Sequence, residues 1–290
     1  MRHNRRGRIV LVALVGGMVA ACATSDRPSE DRSAKLIPAK ESVRMGNASL
    51  SGGDAVGAIN FYQQALKGKP DDYEASLGLA DALMRSGESA AALKAYVRAS
   101  EINPTAVEPL LGQGRIAIMQ RRFADAQTVY NHAAELTGRT DPRPLVGLGT
   151  IQDLCGNSAS AQELYLKALA LKPDDVAARN NLGLSLALSG NPRAAVDILM
   201  EIVQSPSAPS KARHNLALAY GLMGNTDASE NVLSTDLDAG SIQNDLRYYA
   251  MLRQRLAESP PPPAMPTPHL DMRAVPAPGG ELPGPKANGP

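Results

Sequence analysis

The sequence has no tryptophan and only two phenylalanines in 290 residues, so its core must be filled by alanine, leucine and tyrosine. It has two cysteines, Cys22 and Cys155, in unlike settings, which argues against a disulfide framework. It has no excess of either charge: thirty basic against 29 acidic residues leave a net +1, and no basic face stands out beyond the first eight residues. Nucleic acid is therefore not the expected partner. The four histidines (His3, His132, His214 and His269) are scattered without a metal-like spacing, and His132 reads as a solvated or partly buried side chain. G-x-S-x-G, G-x-x-x-x-G-K and H-E-x-x-H are all missing, so no nucleophile elbow, phosphate cradle or zinc helix is expected. No cofactor, metal or small-molecule substrate is expected either.

Two features imitate chemistry. Asp71–Asp72 and Asp174–Asp175 look like paired carboxylates, yet each pair follows a proline at the same phase, where acids favour the start of a helix. Cys155 stands just before Gly156 at the end of a helix and reads as a buried structural thiol. The expectation is a protein that is not an enzyme.

What is abundant is a period. Gly53, Ala58, Tyr62, Ala65 and Pro70 are answered 34 residues on by Gly87, Ala92, Tyr96, Ala99 and Pro104. Ala126, Tyr130 and Ala133 continue it, and after a one-residue slip come Gly156, Ala161, Tyr165, Ala168 and Pro173. Weaker copies run through Gly190, Ala195 and Leu199, then Gly224, Ser229 and Leu233. This resembles the tetratricopeptide repeat. It predicts an all-α superhelical solenoid of about six helix hairpins at 39–72, 73–106, 107–140, 142–175, 176–209 and 210–236, plus a C-terminal capping helix over Ser241–Ala257. Small residues on each first helix (Gly46, Ala80, Gly114, Gly149, Gly183 and Ala217) let the hairpin close, and the large residue on the second fills the ridge between neighbours. The slip at Arg139–Pro144 predicts a bend, and Ser205–Ser210 a second punctuation.

The ends differ from the middle. Met1–Ala21 has a basic start and a short apolar run, Ile9–Val19, too short for a permanent span, and reads as a signal peptide. Val19-Ala20-Ala21-Cys22 resembles a lipoprotein lipobox, which implies a lipid anchor on Cys22; Ala23 resembles the residue of lipoproteins sorted to the outer membrane. Residues 22–39 read as a flexible tether, 40–257 as the repeat domain and 258–290 as a disordered Pro-rich tail.

The partner groove is expected on the first helices, with Leu77, Asp81, Leu111, Arg115, Val146, Asn180, Leu184 and His214 facing it, a mixture that suits a protein segment. Asn180–Asn181 and His214–Asn215 resemble residues that clamp peptide termini in some such domains, although the basic residues of a full carboxylate clamp are not all present. Asn180–Ala187, Ala212–Gly224, Asp236–Asp238 and Asn244–Arg253, with the block 236–253 the distinctive part, resemble the TadD lipoproteins of the tight-adherence (Flp) pilus machinery. That resemblance implies an outer-membrane anchor facing the periplasm of a Gram-negative cell envelope, and a pilotin-like part in localising or assembling the pilus secretin. Two other readings stay open: a periplasmic scaffold recruiting cell-wall enzymes or proteases, and an exopolysaccharide-export accessory.

Overall fold

The computed structural model describes residues 37–258. The expected signal peptide, Cys22, most of the tether and the Pro-rich tail lie outside them. Thirteen helices and no strand make up the described residues. Six hairpins follow one another: α1 (Ala39–Ser51) with α2 (Ala55–Gly68), α3 (Tyr73–Arg85) with α4 (Ser89–Ile102), α5 (Glu108–Met119) with α6 (Phe123–Leu136), α7 (Pro142–Leu154) with α8 (Ser158–Leu171), α9 (Val176–Leu188) with α10 (Pro192–Val203), and α11 (Ser210–Met223) with α12 (Thr226–Leu233). A longer helix, α13 (Ala239–Glu258), closes the stack.

The direction of curvature follows from which helices meet. Each first helix packs on the next (α1 on α3, α3 on α5, α5 on α7, α7 on α9, α9 on α11), whereas no backbone pair of successive second helices comes within 8 Å. Helices that crowd lie on the inside of a curve and helices that splay lie outside. The first helices therefore form the concave face.

The first four hairpin interfaces are each built on one ring, the last two on Leu199 and Leu233. Tyr62, Tyr96, Tyr130 and Tyr165 are all buried, and each second helix brings its ring against a small residue sixteen positions earlier. A Cβ built at Gly46 would stand 2.7 Å from Cε1 of Tyr62, and one at Gly149 would stand 2.5 Å from Cε1 of Tyr165. Three of the rings also meet a second glycine, from the next hairpin. Gly78 lies over Tyr62, Gly112 over Tyr96 and Gly147 over Tyr130, again too close for any Cβ. Glycine costs about 1 kcal/mol of helix propensity at each of these sites, and burial of the ring between two close backbones more than offsets it.

The acidic pairs act as caps. Asp72 accepts from the amide of Ala75 at 3.0 Å and Asp175 from that of Ala178 at 2.9 Å. The register slip is absorbed in one loop. Gly138 replaces the proline that ends the neighbouring units, and Gly138 and Arg139 both take left-handed backbone (φ 58° and 63°). The stack continues through it, because Gly147 still seats on Tyr130 and Arg143 reaches back to Glu108 at 3.2 Å.

The turns between helices of a pair use left-handed glycines, among them Gly53, Gly87, Gly156, Gly190 and Gly224 (φ 82° to 91°). The third hairpin has Arg121 there instead, at φ 58°, its guanidinium 5.5 Å from the centre of the Phe123 ring. A left-handed side-chain-bearing residue costs about 1–2 kcal/mol, and an exposed cation–π contact returns about 0.5–1 kcal/mol. Arg121→Gly should therefore stabilise by about 0.5 kcal/mol, a rise in Tm of about 1–2 °C for a domain of this size, read by circular dichroism melting. A fall in Tm would show that the Phe123 contact outweighs the strain.

The far end is closed as the apolar spacing of 241–257 predicts. Ile242 and Tyr249 of α13 bury against Ala217 and Leu233, Leu252 and Leu256 reach the neighbouring cluster, and a Cβ at Gly221 would meet Tyr249 at 2.7 Å. Arg213 ties the corner, donating to Asp236 at 2.6 Å and to the carbonyl of Ala208 at 2.7 Å. The most distinctive residues of the pilus-family resemblance are thus the capping apparatus. Among the described residues, no helix is long and apolar enough to cross a membrane.

Candidate partner-binding groove

The concave face holds a cavity of about 710 Å³, drawn from α3, α5, α7, α9 and α11 and floored by Tyr130 and Tyr165. Its position has a sequence cause. Over Tyr62, Tyr96 and Tyr130 the next unit brings a glycine, but sixteen residues after Tyr165 comes Asn181. Asn181 and both tyrosines line the cavity.

One rim is apolar. Met119, Leu154 and Leu188, at the C-terminal ends of α5, α7 and α9, recur at repeat spacing and are 62%, 48% and 39% exposed. Ile118, Leu111, Val146 and Leu184 continue it inward. The opposite rim is basic, with Arg143 and Lys211. Arg143 is already paired with Asp141 at 2.6 Å and Glu108 at 3.2 Å. Arg115, in the middle, lies 3.4 Å from the Tyr96 hydroxyl and 4.0 Å from Asp81. Burial pushes the Tyr130 hydroxyl up to about 12 against the pull of Arg115, so it stays a neutral phenol.

Of the eight residues expected to face a partner, Leu111, Arg115, Val146 and Leu184 line this cavity. Leu77 instead packs half-buried against the core of the second hairpin. Asp81 accepts the Tyr96 hydroxyl at 2.5 Å, just outside the cavity. Asn180 corrects the expectation. It is 6% exposed and engaged in a ladder in which Asn215 donates to Asn180 at 2.9 Å, Asn180 to Asn181 at 3.2 Å and Asn181 to Thr150 at 3.3 Å. One residue turns a helix through about 100°, so the neighbour, Asn181, is the one that faces the cavity. The same ladder engages Asn215, and His214 is half-buried outside the cavity with its Nε2 unbonded. Asn180 and Asn215 are thus held inside the ladder, and of the three asparagines only Asn181 lines the cavity.

Cys155 is also corrected: it is exposed, not buried. It caps α7 after the last turn that packs, so its side chain has no neighbouring helix to enter. His132 is exposed. Among the described residues no three His, Cys, Asp or Glu side chains gather as a metal site would require.

Asp153 is the feature that residue-by-residue reasoning passed over. Its carboxylate lines the cavity and accepts from Ser185 Oγ at 2.7 Å and the Tyr165 hydroxyl at 2.9 Å. Burial raises its pKa, opposed by those hydrogen bonds. A signal existed: the same repeat position holds Met84, Ile118 and Ala187 in neighbouring units.

Two family models described as tetratricopeptide repeat match the sequence, over residues 49–96 and 156–210. No curated protein matches it. Among solved structures, the chain is similar to one in the APC/C hetero-tetramer Cut9–Hcn1, with a TM-score of 0.64 and 20% identity over 75% of this chain. That match spans only 42% of the other chain. A tetratricopeptide repeat protein from Parabacteroides merdae gives a TM-score of 0.62 at 15% identity, over 73% of this chain and 84% of that one. Pseudomonas aeruginosa pilF gives 0.55 at 18% identity, over 76% and 96%. At these identities the likeness is one of fold. With the repeats matched and the hairpin stack described, the chain has the fold of a tetratricopeptide-repeat solenoid.

Proposed function

We propose that this protein is an exported, lipid-anchored solenoid of the tight-adherence (Flp) pilus machinery, holding a segment of the pilus secretin in its concave groove. The observation that carries the binding half of this reading is the cavity of about 710 Å³, with its apolar rim repeated on three successive first helices. Monomeric proteins rarely leave a contiguous apolar strip uncovered unless something docks there. The pilus half is supported by the resemblance of residues 180–253 to TadD, and the anchoring half by the lipobox ending at Cys22. In this reading the acyl chains hold the solenoid at the periplasmic face of the outer membrane. Confinement to one surface raises the effective concentration of groove and client, so a modest affinity suffices. Nothing in the job requires catalysis.

The test compares the secretin in cells carrying the wild-type protein, Cys22→Ala or a deletion. Heat-resistant secretin multimers and their inner- or outer-membrane fraction are scored. Multimers or outer-membrane placement should fail in the deletion and in Cys22→Ala. A secretin indifferent to both changes would overturn the pilotin reading.

A further inference from the structure

Resting on the reading that the groove holds a partner segment, the geometry points to Asp153 as its specificity-determining residue: it takes a lysine or arginine side chain from an otherwise aliphatic stretch of the partner protein. The argument is one of charge complementarity. Asp153 is an acid at a repeat position that is aliphatic on both sides, as Met84, Ile118 and Ala187. An acid in an apolar cavity disfavours its own charged form, and burial does raise its pKa. Such breaches of the local pattern are expected at functional or strained positions.

Its surroundings leave it incomplete. Its donors, Ser185 and Tyr165 with Ser158 beside them, are neutral hydroxyls, and a carboxylate can accept about four hydrogen bonds. Two of the three basic side chains in the lining have acidic neighbours of their own, Arg115 4.0 Å from Asp81 and Arg143 paired with Asp141 and Glu108. Lys211 belongs to the rim contributed by α11. Asp153 has no ion pair within the described residues, so a cationic side chain of the partner can supply one. A basic side chain has the right form for it, an aliphatic stem to lie along Leu154 and Leu188 and a cationic tip to reach the carboxylate.

The experiment selects a phage-displayed library of random dodecapeptides on the full-length protein in mild detergent. Enriched peptides should carry lysine or arginine at one fixed position among aliphatic residues. A selected lysine peptide should lose about tenfold or more in affinity for Asp153→Asn, since hydrogen bonds to charged groups are worth that much. Its norleucine analogue should bind wild type and variant alike, and Asp153→Lys should select acidic residues at the same position. Asp153→Leu, which restores the aliphatic pattern, is the second variant, with circular dichroism confirming that each is folded. Enriched peptides without a basic position, or a basic preference that survives both Asp153→Asn and Asp153→Leu, would overturn the assignment alone. No enrichment at all, or enrichment indifferent to Leu188→Glu, would overturn the groove reading and this inference with it.

Discussion

Gly112→Val should break the solenoid in its middle, lowering stability by about 3 kcal/mol and Tm by about 6–12 °C. Gly112 of α5 lies against the Tyr96 ring, closer to Cζ, Cε1 and Cε2 than any side chain could stand. The ring cannot retreat. It is fully buried, faces Ala80 on its own hairpin, and its hydroxyl is held by Asp81 at 2.5 Å. Replacing glycine by valine gains about 0.5 kcal/mol of helix propensity, too little to offset the clash. Because a solenoid is stabilised by interfaces between neighbours, the damage should be local, and the melt should broaden into two steps as the hairpins on either side unfold separately. Gly68→Ala is the control: its Cβ would meet only Ala39 at 3.6 Å, an ordinary contact, and stability should stay within about 0.5 kcal/mol. Tyr96→Leu, copying Leu199 of the fifth hairpin, should recover part of the loss in Gly112→Val, giving a coupling of about 1–3 kcal/mol. Additive effects of the two changes would show that ring and glycine do not form one interface.

That interface shows how far the sequence could be read. A large residue (tyrosine in the first four units, leucine in the last two) paired with a small residue sixteen positions earlier was visible in every unit and set the hairpins correctly. The glycine sixteen or seventeen positions later was equally visible, as Gly78, Gly112 and Gly147, but it concerns packing between units and acts only once they stack. Turn glycines were legible because left-handed backbone selects for them. Arg121 was not, because a residue that bears strain carries no compositional mark. The expected bend at the slip met a loop that absorbs the extra residue through Gly138 and Arg139. In the groove, the period identified the helices that line the cavity, but its phase was good only to about one residue. That margin moved the lining from Asn180 to Asn181 and placed Cys155 beyond the last buried turn. Asp153 was legible as a break in pattern, and its meaning needed Tyr165 and Ser185 brought beside it by folding.

On the proposed function, replacing the apolar rim should abolish client binding while leaving the lipid anchor intact. Met119, Leu154 and Leu188 are exposed, so changing two of them to glutamate should alter stability by no more than about 0.5 kcal/mol each. Burying a fully exposed side chain of this kind against a partner is worth about 1.5–3 kcal/mol, and Leu154 and Leu188 have 48% and 39% of their surface left to bury, so Leu154→Glu with Leu188→Glu removes about 1–3 kcal/mol, roughly tenfold or more in affinity. The secretin should then fail to co-purify with the full-length protein from detergent-solubilised membranes. Cys22→Ala makes the opposite cut. In detergent, where confinement to a surface no longer matters, it should capture secretin as the wild type does, yet in cells it should leave the secretin unassembled. The two variants thus separate grip from place: one loses the client everywhere, the other only where effective concentration decides the outcome. A rim variant that still captures secretin would move the binding face off the concave surface. A Cys22→Ala protein that fails in detergent as well would make the lipid part of the grip rather than a tether for it.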